Sequence, residues 1–284
     1  MFIRIGYDIV FESPNPVPMT LLLYTHPSIA SRLRSPDRVH TQPEIPVTDF
    51  LDGFGNRSAR IVAPTGALRL WSDAWVETPD AMDEVNWGAV QHEVADLPAE
   101  VLPYLLPSRY CQVDLLSDKA WNMFQHTPLG WGRVQAICDF VHSHVQFGYG
   151  LTRPEKTALD VLNEGNGVCR DYQHLAITLC RCMNIPARYA TGYLGDIRIP
   201  PPPGDMDFSA WFEAYLGGRW YAFDARFNTP RYGRLLMAIG RDSVDCALTT
   251  AYGPANLKRF RVIAEEIAGP EAAEAPHPEF QSLP

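Results

Sequence analysis

The chain has 284 residues, 46% hydrophobic and 20% charged, enough for one large or two ordinary domains around a sizeable core. A formal net charge of −9 argues against a nucleic-acid partner. The opening MFIRIGYDIVFES interrupts its apolar positions with Arg4, Asp8 and Glu12, so it does not read as a signal peptide, and no run is long enough to span a membrane. Six cysteines without scaffold-like spacing fit free thiols in a reducing cytoplasm, the expected location.

In chain order, Ile3, Ile5, Tyr7, Ile9 and Phe11 alternate and form one face of a strand. Pro14, Pro16 and Pro18 break it, and MTLLLYTH reads as a second strand. TDFLDGFGNRSARIVAP reads as two strands around a glycine-containing hairpin, and ALRLWSDAWVE as another. Short strands with frequent turns predict an antiparallel β-sandwich over residues 1–90. It suggests no chemistry: His26, Asp37 and His40 read as loop and surface residues.

Beyond it, PDAMDEVNWGAVQHEVADLPAEVLPYLLPSRYC is rich in proline and acids and reads as a connector with a short helix. SDKAWNMF carries a helix start signal at Ser117. GWGRVQAICDFVHSHVQF is a stronger helix, with Val134, Ile137, Val141 and Val145 at core spacing, and KTALDVLNEG a short one ending at Gly165. Further on, ARYATGYL is a strand, RIPPPPGDMD a stiff loop, and SAWFEAYL with RWYAFDAR a hairpin turning at Gly217–Gly218. LKRFRVIAEEI is the last strand, and the Pro/Glu-rich tail 269–284 reads as disordered or loosely bound.

The stretch NEGNGVCRDYQHLAITLCRCMNIPAR stands apart. Gly165 and Gly167 lead into Cys169, after which Leu175, Leu179 and Cys182 recur at helical spacing until Pro186. Cys169 therefore falls in the first turn of a buried helix, where unpaired N–H groups and the helix dipole favour the thiolate. The alternative is a packed thiol, since free cysteine is among the most buried residue types. Asp171 suits an N-terminal cap, and Arg170 a carboxylate that fixes the helix start. A cysteine nucleophile also needs a base and a group that orients it. Asp224, a carboxylate inside the aromatic strand YAFDAR, requires a partner: either the base, or a structural cation such as Arg226 or Arg188.

GVCRDYQHLAITLCRCMNIPARYATGYL, followed by DFSAWFEAYLGGRWYAFDAR, resembles the bacterial transglutaminase-like family of cysteine hydrolases. The resemblance covers most of the chain and is strongest from Thr157 to Arg234. It implies an α+β fold: a papain-like core over residues 91–268 behind the β-sandwich domain of residues 1–90, with a thioester formed at the nucleophile. By motif position Cys169 matches that nucleophile and Asp224 the orienting acid. The family's His-Ala-Trp is here Ser209-Ala210-Trp211, so Ser209 stands at the position of the general base.

A serine hydroxyl has no useful basicity near neutral pH and cannot carry the charge that stabilises a thiolate. General-base catalysis typically contributes about 10²- to 10⁴-fold, so a large loss is expected. No other histidine fits. His174 is five residues on, roughly 140° around the helix from Cys169; His142 and His144 are two residues apart and cannot both face one site. Trp211 and Asp207, flanking Ser209, are the candidate substrate contacts. The aromatic hairpin residues read as cross-strand packing or, alternatively, as a stacking surface. No metal-ligand or P-loop spacing occurs, and no cofactor is implied. Two functions are therefore expected from this scaffold: a weak or inactive acyl-transfer or amide-hydrolysis enzyme, or a non-catalytic protein that binds a peptide or amide.

Overall fold

The computed structural model describes residues 1–200, 206–269 and 272. In chain order the strands and α-helices are β1 Phe2–Ser13, β2 Val17–Leu21, β3 His40–Gln42, β4 Thr48–Leu51, β5 Arg57–Ala63, β6 Gly66–Glu77, α1 Val113–Phe124, α2 Trp131–His144, β7 Gln146–Phe147, α3 Ala158–Glu164, β8 Asn166–Gly167, α4 Cys169–Cys182, β9 Ala187–Leu194, β10 Ser209–Leu216, β11 Arg219–Phe223, β12 Arg234–Gly240, β13 Thr249–Ala251 and β14 Asn256–Ile267. Short 3₁₀ turns bridge several of them. The proline-rich segment 201–205 and the tail from 273 lie outside the described residues. No described helix is long and apolar enough to cross a membrane.

Two antiparallel sheets, ordered β14-β1-β6-β3 and β13-β2-β5-β4, form the sandwich. The alternation in β1 sends Ile3, Ile5, Tyr7 and Ile9 into the core against Met19 and Leu21 of β2 and Ile61 of β5. Each such side chain contributes about 1.5–3 kcal/mol of burial. The other face of β1 holds its charges in pairs: Asp8 with Arg69 at 2.9 Å and with Arg259 at 3.2 Å, and Arg4 with Asp73. Asp37, expected at the surface, is buried and accepts from the Thr25 N–H and hydroxyl at 2.6 and 2.7 Å.

The sandwich is not confined to residues 1–90. β14 pairs with β1 from Phe2↔Ile267 to Glu12↔Asn256, and β13 pairs with β2. The end of the chain returns to close sheets that its beginning opened.

The third sheet, β11-β10-β9-β12, links the two halves. One face, with Ala210, Phe212, Ala214 and Tyr189, packs on α4 residues Leu175, Ala176 and Leu179. Further along the sheet, Tyr193 of β9 and Leu235 and Met237 of β12 join the sandwich core. Buried Asn56 ties the β4–β5 hairpin to β12, donating to the Ile239 carbonyl and accepting from its N–H, each at 2.9 Å. The β10–β11 turn uses Gly217 and Gly218 at φ +55° and +85°, the left-handed pair that a two-residue type I′ hairpin requires.

Every residue of α4 from Asp171 to Cys182 is buried, with α1, α2 and α3 packed around it. Arg181 near its end donates to the carbonyls of Ala187, Leu106 and Arg241, so a buried guanidinium is satisfied without a carboxylate. The helix expected from Ser117 starts earlier, at Val113: Ser117 lies inside α1 and bonds back to the Val113 carbonyl at 2.7 Å. Strands β3, β12 and β13 were not legible in the sequence. β12 is the informative case, because its middle is buried on both faces and shows no alternation.

Candidate active site

Local chemistry places Cys169 as the first residue of α4. Thr157 caps α3 in a reciprocal pair with Asp160, and α3 ends at Gly165. The next two residues form β8, which runs parallel to β7. Asp171 then turns back to accept from the Val168 N–H at 2.9 Å, satisfying a donor at the helix start. This explains Gly167: a Cβ there would lie 2.6 Å from the Asp171 Cβ. Arg170 anchors the turn, donating to the Arg153 carbonyl at 2.7 Å, Thr152 Oγ1 at 3.1 Å and Asp171 Oδ1 at 3.3 Å. Both residues behave as the sequence suggested.

Cys169 is partly exposed at a cleft of about 600 Å³. Ser209, at the start of β10, lines the same cleft, as do Asp207, Tyr149 and Tyr189. Ser209 pairs with Gly192 across the sheet, and its carbonyl accepts from Thr191 Oγ1 at 2.9 Å. The thiol is not the activated group that its helix position suggested. Burial pushes its pKa up to about 11; the charge of Arg226 and the Arg170 N–H pull it down, while Asp207 and Asp224 raise it further. Desolvation thus outweighs the helix terminus, and the resting group at neutral pH is the thiol.

No histidine is among the described residues that line this cleft. His174 is buried behind it, stacked on Tyr110, with Nε2 accepting from the Ser243 N–H at 3.2 Å; burial lowers its pKa and keeps it neutral. His142 donates from Nδ1 to the Arg226 carbonyl at 2.8 Å, and His144 from Nε2 to the Leu162 carbonyl at 2.7 Å.

Asp224 sits behind the cleft rather than in it, with its side chain 2% exposed. Its Oδ1 accepts from the N–H groups of Arg226 and Phe227 at 3.0 and 3.2 Å and from Gln173 Nε2 at 3.1 Å. Its Oδ2 has no hydrogen-bond partner among the described residues; the Arg234 guanidinium is 3.6 Å away. The structural cation is therefore Arg234, not Arg188, which pairs with Glu213 at 2.6 Å, nor the side chain of Arg226, which stacks on Phe147.

Gln173 is the participant that the sequence reading passed over. It follows Cys169 by four residues, on the same helix face. Fully buried, it donates to the Ala210 carbonyl and to Asp224, and accepts from the Ala225 N–H. One side chain joins the helix of the thiol, the strand of Ser209 and the acid. Trp211, in contrast, is only 1% exposed, packs with Ala190 and Ile239 beneath the Arg234 guanidinium, and does not line the cleft. It packs the interior. Asp207 does line the cleft.

The chain is similar to known proteins. The core of the transglutaminase-like superfamily matches residues 119–225, a span that contains Cys169, Ser209 and Asp224. A candidate cysteine protease from Cytophaga hutchinsonii, known from its crystal structure, is 31% identical with a TM-score of 0.80, over 93% of this chain and 90% of that one. An uncharacterized protein of Mycobacterium leprae is 27% identical over 253 residues, 85% of this chain and 88% of the relative. The periplasmic domain of TgpA from Pseudomonas aeruginosa is more distant, at 14% identity and a TM-score of 0.42, over 79% of this chain and 90% of that one. The papain-like α+β core and its cysteine cleft define the class, and the chain belongs to the transglutaminase-like superfamily.

Proposed function

We propose that this protein is a cysteine-centred scaffold for acyl transfer or amide hydrolysis, with a thioester at Cys169, whose turnover is weak or absent because Ser209 stands at the position of the general base. The observation that carries this reading is the shared cleft, which Cys169 and Ser209 both line and to which no described histidine contributes. A thiol held at a pKa of about 11 has no described imidazole in the cleft to take its proton at neutral pH. The test is amide hydrolysis and amine incorporation by the protein and by Ser209→His. The substitution is expected to raise Cys169-dependent turnover by about 10²-fold or more. Robust Cys169-dependent turnover by the protein as it stands would overturn the proposal.

A second reading is a non-catalytic binder of a peptide or amide. The specific observation in its favour is a cleft that stays open and aromatic-walled around an unreactive thiol. Under this reading Ser209→His leaves turnover at background while ligands still bind.

A further inference from the structure

Two buried arginines outside the Cys169 cleft hold three side-chain nitrogens with no hydrogen-bond partner among the described residues: Arg231 Nε and Nη1, and Arg234 Nη1. The two side chains are only 3% and 8% exposed. A buried donor left unpaired is costly, and most such groups in folded proteins are satisfied. The other nitrogens are engaged. Arg231 Nη2 donates to the Gly195 carbonyl at 3.1 Å and stands 3.4 Å from Asp196. Arg234 donates from Nε and Nη2 to Asp83, the shortest contact being 2.9 Å. Arg231 lies over the Phe227 ring and Arg234 over the Trp211 ring. Stacking covers a face of each guanidinium and leaves its in-plane N–H groups able to take an acceptor.

Both arginines line one cavity of about 370 Å³, where residues 78–84 meet residues 231–234. The two segments are tied together: the Asp83 N–H donates to the Arg231 carbonyl at 2.9 Å, and the Arg231 N–H to Asp83 Oδ2 at 3.0 Å. Exposed Arg32 lines the cavity as well and forms no ion pair among the described residues. Both carboxylates of the wall are already matched, Asp83 by Arg234 and Glu84 by Arg219. The wall thus has a surplus of positive charge. Guanidinium N–H groups only donate, so the group that satisfies them is an acceptor, and the surplus charge favours an anion over water. A phosphate offers oxygens in several directions to donors from separate arginines, and its second negative charge suits this wall better than a carboxylate does. We propose that the cavity binds a phosphate group, either free or as the monoester of a small solute. Arg234 is also 3.6 Å from Asp224 Oδ2, so a phosphate held there sits one side chain away from the acid behind the Cys169 cleft. The proposal does not depend on any chemistry at Cys169.

Calorimetric titration at neutral pH and constant ionic strength tests this with inorganic phosphate, glycerol 3-phosphate and acetate. Saturable phosphate binding is expected, with acetate weaker by about tenfold or more. Arg231→Gln, checked for folding by circular dichroism, should weaken phosphate by about tenfold or more. Arg32→Gln changes an exposed residue, so it should keep the fold and still weaken phosphate severalfold; it decides the matter if Arg231→Gln does not fold. Glycerol 3-phosphate binding more tightly than phosphate supports a monoester, and the reverse order supports the free ion. No saturable phosphate binding, acetate binding as tightly as phosphate, or an affinity unchanged in Arg32→Gln and in folded Arg231→Gln overturns the proposal.

Discussion

Opposing influences meet at the Cys169 sulfur. The first turn of α4 offers backbone N–H groups, and Arg226 adds positive charge, but burial and two carboxylates push the other way and hold the thiol near a pKa of about 11. Below that value the thiolate fraction grows about tenfold for each pH unit. Alkylation of Cys169 by iodoacetamide, followed by mass spectrometry, should therefore be slow at neutral pH and keep accelerating well above pH 9, where an ordinary cysteine has levelled off. The other five cysteines are buried and serve as internal controls. Ser209→His should move the curve to lower pH, because an imidazolium stabilises the thiolate. A plateau near the ordinary cysteine value in the unmodified protein would show that the helix terminus wins after all. The sequence made the position of Cys169 legible through its glycine turn and helical period. Its protonation state was not legible, because desolvation depends on side chains that reach the cleft from distant parts of the chain.

Between elements, the connection that matters is Gln173. Its amide spans α4, β10 and the segment after β11, and all its bonds are buried. Gln173→Leu nearly preserves volume but leaves the Ala225 N–H and the Ala210 carbonyl without this partner, at about 1–3 kcal/mol each. Chemical denaturation should show a loss on the order of 2–4 kcal/mol. In the Ser209→His background the same change should lower turnover further than the stability loss explains, because Asp224 loses its tether to the Cys169 helix. A Gln173→Leu protein as stable as its parent would remove Gln173 from this role. The i, i+4 spacing from Cys169 made Gln173 available to sequence reasoning, yet a buried glutamine carries no motif. The same limit hid β12, whose residues Leu235 and Met237 enter the sandwich core while Ala238 joins the helical core. A short apolar run buried on both sides has no period to read.

At the scale of the whole molecule, the sandwich and the wall of the cleft share one packed cluster. Strand β14 was readable as the last strand and β13 was not, and nothing local to either specified that they would pair with β1 and β2. Pairing across more than two hundred residues is decided by which buried faces fit, not by spacing. The outcome is a core in which Ile5 and Tyr7 of β1 share a cluster with Tyr193 of β9, Leu235 of β12 and Phe208 beside the cleft. A lesion deep in the sandwich should therefore be felt at the site. Ile5→Ala, at a position 1% exposed, is expected to cost about 2–5 kcal/mol. If the halves are coupled as this packing implies, near- and far-ultraviolet circular dichroism and protection of Cys169 from alkylation will all fall in one transition, displaced together in the variant. Two separated transitions, with only the sandwich signal moving in Ile5→Ala, would show that the β-rich half folds independently and that the shared cluster is contact without cooperativity.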